Sequence, residues 1–593
     1  MTSNNDIYRV VAVTPNLIQI EVIDTNAFKA TAATALSIGS YLRISDENRL
    51  SIIAVVQSYH IKDAGTNDAQ ADLLQPRFIV DAQPVGFLDG DSKFMRGGQQ
   101  IAIPPTIVEI ADRSVLETIY SAVAPEKAFS FGTLALDRDI RVQVDGDRFF
   151  GKHVAVVGST GSGKSCTVAK LLQEGIRPSD QQREEGVLNN SHIVLFDLHG
   201  EYCTAFPHAN CRNIDSMVLP YWLMNSEELE DMFIETGDLN CHNQISQFKH
   251  AVIENKRRHN PQLKKMTYDT PVYFSIEEIR TYIKNQNYAT KDASSGELAI
   301  EEAVPGVEDR YQLFEDIAFK PKVTGKINNG PYAGEFDRFL SRLETKLNDD
   351  RLRFFLHPRK QGGDEYRTDD LAQMLKQFIG YTSGDEANIT VVDLSGIPFE
   401  VVSVVVSLIT RLVFDFRFHF KRVRTDTDTS DVPVLLVYEE AHNYVPNSAY
   451  AKYRSVRESI ERVAKEGRKY GISLMIVSQR PSEIAETIFS QCNNFVAMRL
   501  TNPTDQNYIR RLLPDSVSVI TDSLPALEQR EALVIGDAIP LPTVVRVDNI
   551  QQKPDSADVR FHQEWQRDWY DIAFGTLLDS MQCREGTSQR EST

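Results

Sequence analysis

The chain has 593 residues, 41% of them hydrophobic and 25% charged, with a formal charge of −19 and six cysteines. One hydrophobic core fills at most roughly 250–300 residues, so this length predicts two to four domains, and the composition excludes a disordered or fibrous chain. The negative charge excludes a protein that coats nucleic acid with its whole surface but leaves room for a local basic channel, because phosphate contacts need only clustered Lys and Arg.

The opening MTSNNDIYRVV has neither the basic nor the apolar region of a signal peptide, which predicts a cytoplasmic location. Residues 1–105 read as β: Ile18, Ile20 and Val22 alternate on one face, and Ser51–Val56 and Arg77–Val80 are β-branched runs, a spacing that suggests a small barrel. From about residue 130, apolar strands alternate with helices. The expected strands are His153–Val157, His192–Asp197, Asn388–Asp393, Val432–Tyr438, Ile472–Ser478, Asn494–Arg499 and Ala532–Ile535, runs that suit a parallel sheet covered on both faces. These assign the core of an α/β fold to residues 130–205 and 385–545.

Residues 206–384 are too long for a connection inside a compact sheet. Helical stretches at Ser226–Phe233, Gln244–Lys256, Ile276–Lys284 and Glu335–Asp349 make them an inserted helical subdomain, with the polar run Asn285–Asp309 expected as a mobile loop. The apolar stretch Ile397–Phe414 is interrupted by Glu400, Ser403, Ser407 and Arg411, which suits a buried amphipathic helix and not a membrane span. Residues 546–593 are read as a C-terminal extension whose last dozen residues are disordered. The cysteines form no CxxC pair and have no histidine at zinc spacing, so a reducing compartment and no structural metal are expected.

Gly158-Ser159-Thr160-Gly161-Ser162-Gly163-Lys164-Ser165 fits the phosphate-loop pattern in full, with an apolar strand before it and a helix, Thr167–Leu172, after it; Cys166 is counted with the loop among the nucleotide-binding residues. Glycines let backbone N–H groups turn inward on phosphates, and the helix N-terminus adds partial positive charge. Lys164 would reach the β- and γ-phosphates of ATP and Ser165 would ligate Mg²⁺. The strand Val434–Tyr438 ends in Glu439-Glu440; Glu439 is assigned to the Mg²⁺ shell and Glu440 to polarising the attacking water. The ordinary alternative for both acids is the solvated exit of a buried strand. Asp197, expected beside the strand of the phosphate loop, and Gln479, a candidate γ-phosphate sensor, complete the nucleotide set; satisfied hydrogen bonding at the sheet edge is their alternative.

In order, GSTGSGKS, FDLHGEY, YEEAHNYVP, ERVAKEGRKYG and SQRP resemble the HerA branch of the HerA/FtsK superfamily, in its bacterial form. The resemblance implies a RecA-like P-loop NTPase core with an N-terminal β-barrel, assembly as a homo-hexamer, and translocation on DNA with a nuclease or a sirtuin-like, NAD-consuming effector, in DNA end processing or antiviral defence. Glu439 departs from the Asp usual at that position. The implied ring supplies an arginine in trans, for which Arg468 is the candidate, with Arg462 and Arg480 in reserve; Arg468 also suits a helix C-terminus capped near Gly471. Clusters at Lys256-Arg257-Arg258 with Lys264-Lys265, at Arg359-Lys360, and at Lys421-Arg422 with Arg424 are candidates for DNA contact. Two other functions fit the same residues: an ATP-gated scaffold that activates a partner without moving on DNA, and a conjugation- or secretion-type pump, which the lack of a membrane segment disfavours.

Overall fold

The computed structural model describes residues 7–581 apart from 25–37, 46–50, 63–76, 90–92, 98–106, 178–188, 235–240, 382–383, 385, 425–429, 448–453, 513–517 and 557–558. The disordered tail expected at the C-terminus lies outside them. The chain forms two compact units, residues 1–554 and 555–593, so the second begins later than residue 546. It holds two short helices, Phe561–Trp565 and Phe574–Met581, with Trp565, Trp569 and Tyr570 exposed.

The N-terminal alternation produces seven strands: β1 (Tyr8–Val13), β2 (Ile18–Val22), β3 (Tyr41–Ser45), β4 (Ser51–Lys62), β5 (Arg77–Leu88), β6 (Phe94–Arg96) and β7 (Ile107–Ile110). They pair antiparallel in the order β1-β2-β5-β4-β3-β7, with β6 on β5, so the sheet runs past residue 105. Ile18, Ile20, Ala54, Val80 and Val108 fill its interior. β1 and β7 approach each other, but no ladder joins them among the described residues.

Two short strands, β8 (Ala128–Phe129) and β10 (Val144–Asp145), pair and flank β9 (Gly132–Leu134). The large sheet then adds β11 (Val154–Val157), β12 (His192–Asp197), β13 (Asn210–Arg212), β16 (Ile389–Asp393), β17 (Val434–Tyr438), β18 (Ile472–Ser478), β19 (Asn494–Met498), β20 (Glu531–Gly536) and β21 (Thr543–Val547); β14 (Thr290–Asp292) and β15 (Ile327–Asn329) pair separately. Its order is β13-β16-β12-β17-β18-β11-β19-β20-β21-β9. The first seven are parallel; β20, β21 and β9 continue antiparallel, so the expectation of an all-parallel sheet fails at Ala532–Ile535.

The unbroken apolar runs have a direct cause. Ala155 and Val157 enter one core while Val154 and Val156 enter the other, and Leu436 and Val437 divide in the same way. One face is covered by α1 (Lys164–Gly175) and by Tyr41, Ile53 and Val55 of the N-terminal sheet. The other is covered by the helices α2 (Ser226–Phe233), α3 (Cys241–His259), α4 (Ile276–Tyr288), α5 (Asp337–Leu347), α6 (Phe399–Val423) and α7 (Arg454–Glu466). The 206–384 stretch is therefore no separate body: β13 extends the main sheet, and its helices share one core with β11 and β17.

Two of the polar breaks in α6, Ser407 and Arg411, share one partner. Glu228, in the capping box of α2, accepts from Ser407 Oγ at 3.0 Å and pairs with Arg411 at 2.9 Å. Among the described residues, no helix is long and apolar enough to cross a membrane. Only the start of the expected loop Asn285–Asp309 is regular: it begins within α4 and includes β14, while most residues from 293 to 309 are exposed turn. Asn285 donates to the carbonyls of Leu313 and Glu315 and Asn287 to the Asp337 carboxylate, so these two buried amides tie the helix end to its neighbours.

Candidate active site

The phosphate loop leaves β11 where β18 ends, with Val157 opposite Ser478 in the ladder. Gly161 and Gly163 have φ of 74° and 93°, which other residues adopt at a cost, and a Cβ on Gly158 would stand 2.8 Å from Met498 Cβ. Ser159 N–H donates to the Arg499 carbonyl, and Thr501 N–H to Ser159 Oγ, stitching the loop to the exit of β19. The first bond of α1 runs from Thr167 N–H to the Gly163 carbonyl, which leaves the amides of Lys164, Ser165 and Cys166 facing outward from the helix start. These donors suit phosphate oxygens.

β17 delivers the acids one strand further on, separated from β11 by β18. Lys164 Nζ donates to Glu440 Oε1 and lies 3.6 Å from Glu439 Oε1. Gln479, at the exit of β18, donates to Glu440 Oε1 at 2.6 Å and accepts from Thr160. The structure thus brings together Thr160, Lys164, Glu439, Glu440 and Gln479. Glu440 takes a left-handed backbone, φ 48°, rare for a residue with a side chain and typical of strained functional positions. His442 Nδ1 stands 3.2 Å from Glu440 Oε2.

The buried Glu439 Oε2 accepts no hydrogen bond within the described residues, and Glu440 Oε2 has only the His442 contact, which lacks hydrogen-bond geometry. A buried acceptor left so is costly, and a cation with its water shell would satisfy it. Electrostatics separates the pair. Burial raises the Glu439 carboxyl, assisted by the charges of Glu440, Asp197 and Glu201 and opposed by Lys164. Burial also acts on Glu440, but the charge and hydrogen bond of Lys164, with help from Gln479, hold it below its ordinary value. Glu440 is the ionised member, as a proton acceptor requires.

Asp197 is placed differently from expectation. β12 pairs with β16 and β17, so three ladders separate it from β11, and both Asp197 oxygens are taken by backbone: Gly200 N–H at 3.0 Å, Tyr202 N–H at 2.8 Å and His199 N–H at 3.3 Å. Its observed work is to fold the turn that carries Glu201, whose carboxyl is raised by burial and by the charge of Asp197. Glu201 sits in the FDLHGEY string but stands out from it by no spacing rule. No sequence pattern singles out Arg530 either: with a left-handed φ of 69°, its N–H donates to the Ser162 carbonyl, and its side chain runs past Gly163.

Arg468 lies in the turn Gly467–Tyr470 before β18, beside His153, at the sheet end away from Lys164 in its own chain. A seven-residue strand is about 20 Å long. Gly471 does cap that turn, with φ 73°. Arg462 stacks on Phe414 at 4.2 Å, while Arg480 stays at the nucleotide end, paired with Glu483. Of the basic clusters, Lys256 is fully buried and donates to the carbonyls of Tyr268 and Thr270, so it cannot reach DNA.

Residues 129–413 match the family described as the central domain of the helicase HerA. The "DNA double-strand break repair helicase HerA" of Sulfolobus acidocaldarius is 25% identical over 80% of this chain and 79% of its own length. A probable helicase of Methanocaldococcus jannaschii is 25% identical over 81% of this chain and 77% of its own. Among solved structures, VirB4 of Thermoanaerobacter pseudethanolicus aligns with 72% of this chain and 97% of its own, at a TM-score of 0.43 and 14% identity.

Proposed function

Because this chain belongs to the HerA family and is an ATP-hydrolysing enzyme, we propose that it is a DNA translocase working as a homo-hexameric ring. The observation that carries this reading is the convergence of Lys164, Glu440 and Gln479 on one point at the mouth of the phosphate loop. In this reading the amides of the loop and Lys164 hold the triphosphate. Ser165 and Glu439 hold Mg²⁺, which when bound neutralises charge on the phosphate oxygens.

Glu440 takes a proton from the attacking water as its oxygen bonds to the γ-phosphorus and the bond to the bridging oxygen breaks. Gln479 orients Glu440. An arginine acting on a neighbouring subunit must lie far from its own nucleotide, and Arg468 has that placement. Closing and opening between subunits would draw basic loops along the DNA backbone with little regard to base sequence. The relatives named for double-strand break repair support DNA as the track. A nuclease or NAD-consuming effector and a role in antiviral defence belong to the same proposal.

The test measures ATPase activity with and without DNA, displacement of a roadblock from that DNA, and the mass of the assembled particle. Stimulation, displacement and a sixfold mass are expected. A ring that hydrolyses ATP and switches on a partner without displacing anything overturns translocation.

A further inference from the structure

The buried ammonium of Lys256, near the end of α3, is out of reach of solvent but holds the chain that follows it. Lys256 Nζ donates to the carbonyls of Tyr268 and Thr270, at 2.5 and 2.7 Å. One turn on, the buried Asn260 donates to the carbonyls of Lys256 and Tyr273 and accepts from Thr368 Oγ1. Both ends of the loop 261–267 are thereby tied to the core, and a loop so anchored loses little freedom when it binds. The middle of that loop carries the exposed pair Lys264 and Lys265.

The loop borders a cleft of about 600 Å³, lined by five cations, Arg257, Arg258, Lys264, Lys265 and Arg310, against the one carboxylate of Glu308. Gathering them raises their mutual repulsion, in a chain whose formal charge is −19, and a bound polyanion relieves it. Their commitments differ. Arg258 is half-buried between Glu278 and Glu315, Arg257 pairs with Glu254 on its own helix, and Arg310 pairs with Glu308 and stacks on Tyr311 at 4.5 Å. The side chains of Lys264 and Lys265 have neither ion pair nor hydrogen bond among the described residues. Elsewhere the basic clusters are spent: Lys360 pairs with Asp370 at 2.8 Å, Arg424 with Asp431 at 3.3 Å, and Lys421 donates to the Lys469 carbonyl. A second cleft, beside Arg359, mixes its cations with Asp215 and Asp350.

We propose that the loop 261–267 and the end of α3 grip the DNA backbone: Lys264 and Lys265 take phosphates, and the exposed Arg257 and Arg310 add to the field that draws them in. This rests on DNA being the track in the reading above. Phosphates are common to every sequence, so the grip positions DNA without choosing bases.

The experiment uses the full-length chain and a fluorescent DNA duplex, with affinity measured by anisotropy over a series of salt concentrations. Each lysine that meets a phosphate contributes about 0.9 to the slope of log affinity against log salt. The double variant Lys264→Ala, Lys265→Ala should therefore flatten the slope by about 1.8 for each engaged subunit and weaken binding roughly thirtyfold to a hundredfold near ~0.1 M salt. Both side chains are exposed, so its urea midpoint should stay that of the parent. Lys264→Arg with Lys265→Arg should restore the slope. An unchanged slope in the alanine pair, while the parent binds DNA, overturns the cleft and leaves translocation standing. An equal loss in Lys360→Ala reduces the effect to overall charge and overturns the cleft as well. A parent that binds no duplex at low salt overturns DNA as the track, and the grip with it.

Discussion

Replacing Glu440 with Gln separates its two observed tasks. The amide can still accept from Lys164 and Gln479 through its remaining oxygen, so the loop keeps its shape and the left-handed backbone, φ 48°, carries a side chain of the same size. It cannot take a proton. A positioned base contributes about 10²–10⁴ in rate, or about 3–5 kcal/mol of barrier, so single-turnover hydrolysis should slow by that factor. Affinity should move the other way. In the parent, Lys164 pairs with Glu440 and lies 3.6 Å from Glu439; removing the nearer negative charge lets the lysine reach a phosphate without first leaving a carboxylate. The assay is quench-flow hydrolysis of radiolabelled ATP beside equilibrium binding of a fluorescent analogue. Hydrolysis within about threefold of the parent, with normal binding, would refute Glu440 as the proton acceptor.

The other predictions concern neighbouring parts of the fold. His153 is buried, accepts from Leu474 N–H and hydrogen-bonds to the Ala464 carbonyl, and burial lowers it to about 4. A base depressed in the folded state stabilises it above the unfolded value of 6.5, and that contribution, about 3 kcal/mol, is lost as pH falls toward 4; chemical denaturation of His153→Gln should show a flatter slope across that window. Arg411→Met strands the buried Glu228 carboxylate and should cost about 3–5 kcal/mol, read as a lowered urea midpoint. Gly158→Ala drives a methyl against Met498 and Ser162 and should weaken ATP binding while costing about 1–3 kcal/mol of stability. Lys256→Met should lower stability without changing the salt dependence of DNA binding, since its ammonium is spent on the carbonyls of Tyr268 and Thr270.

What the sequence disclosed depended on whether the cause was local. Strand runs such as Ile472–Ser478 showed themselves because each residue meets one of two cores, and the phosphate loop showed itself because glycine, lysine and serine are needed at fixed offsets. Sheet order is not local: nothing within FDLHGEY tells that β12 lies three places from β11, which is why Asp197 sits farther from the loop than the sequence suggests. The antiparallel strand β21 and edge strand β13 were invisible for a related reason, being short segments given meaning only by their neighbours. Arg530 and Ser162 are far apart in the chain and meet only after β20 has folded back along β19. The acids Glu439 and Glu440 stood out because a strand this apolar rarely ends in two charges without a use for them.

Thr160, Gln479, Glu440 and Lys164 form one hydrogen-bonded chain across the mouth of the loop. An arriving triphosphate must therefore unseat a lysine from a carboxylate, and a departing phosphate hands that lysine back. Exchange of partners at Lys164 thus couples the phosphate loop directly to the end of β17.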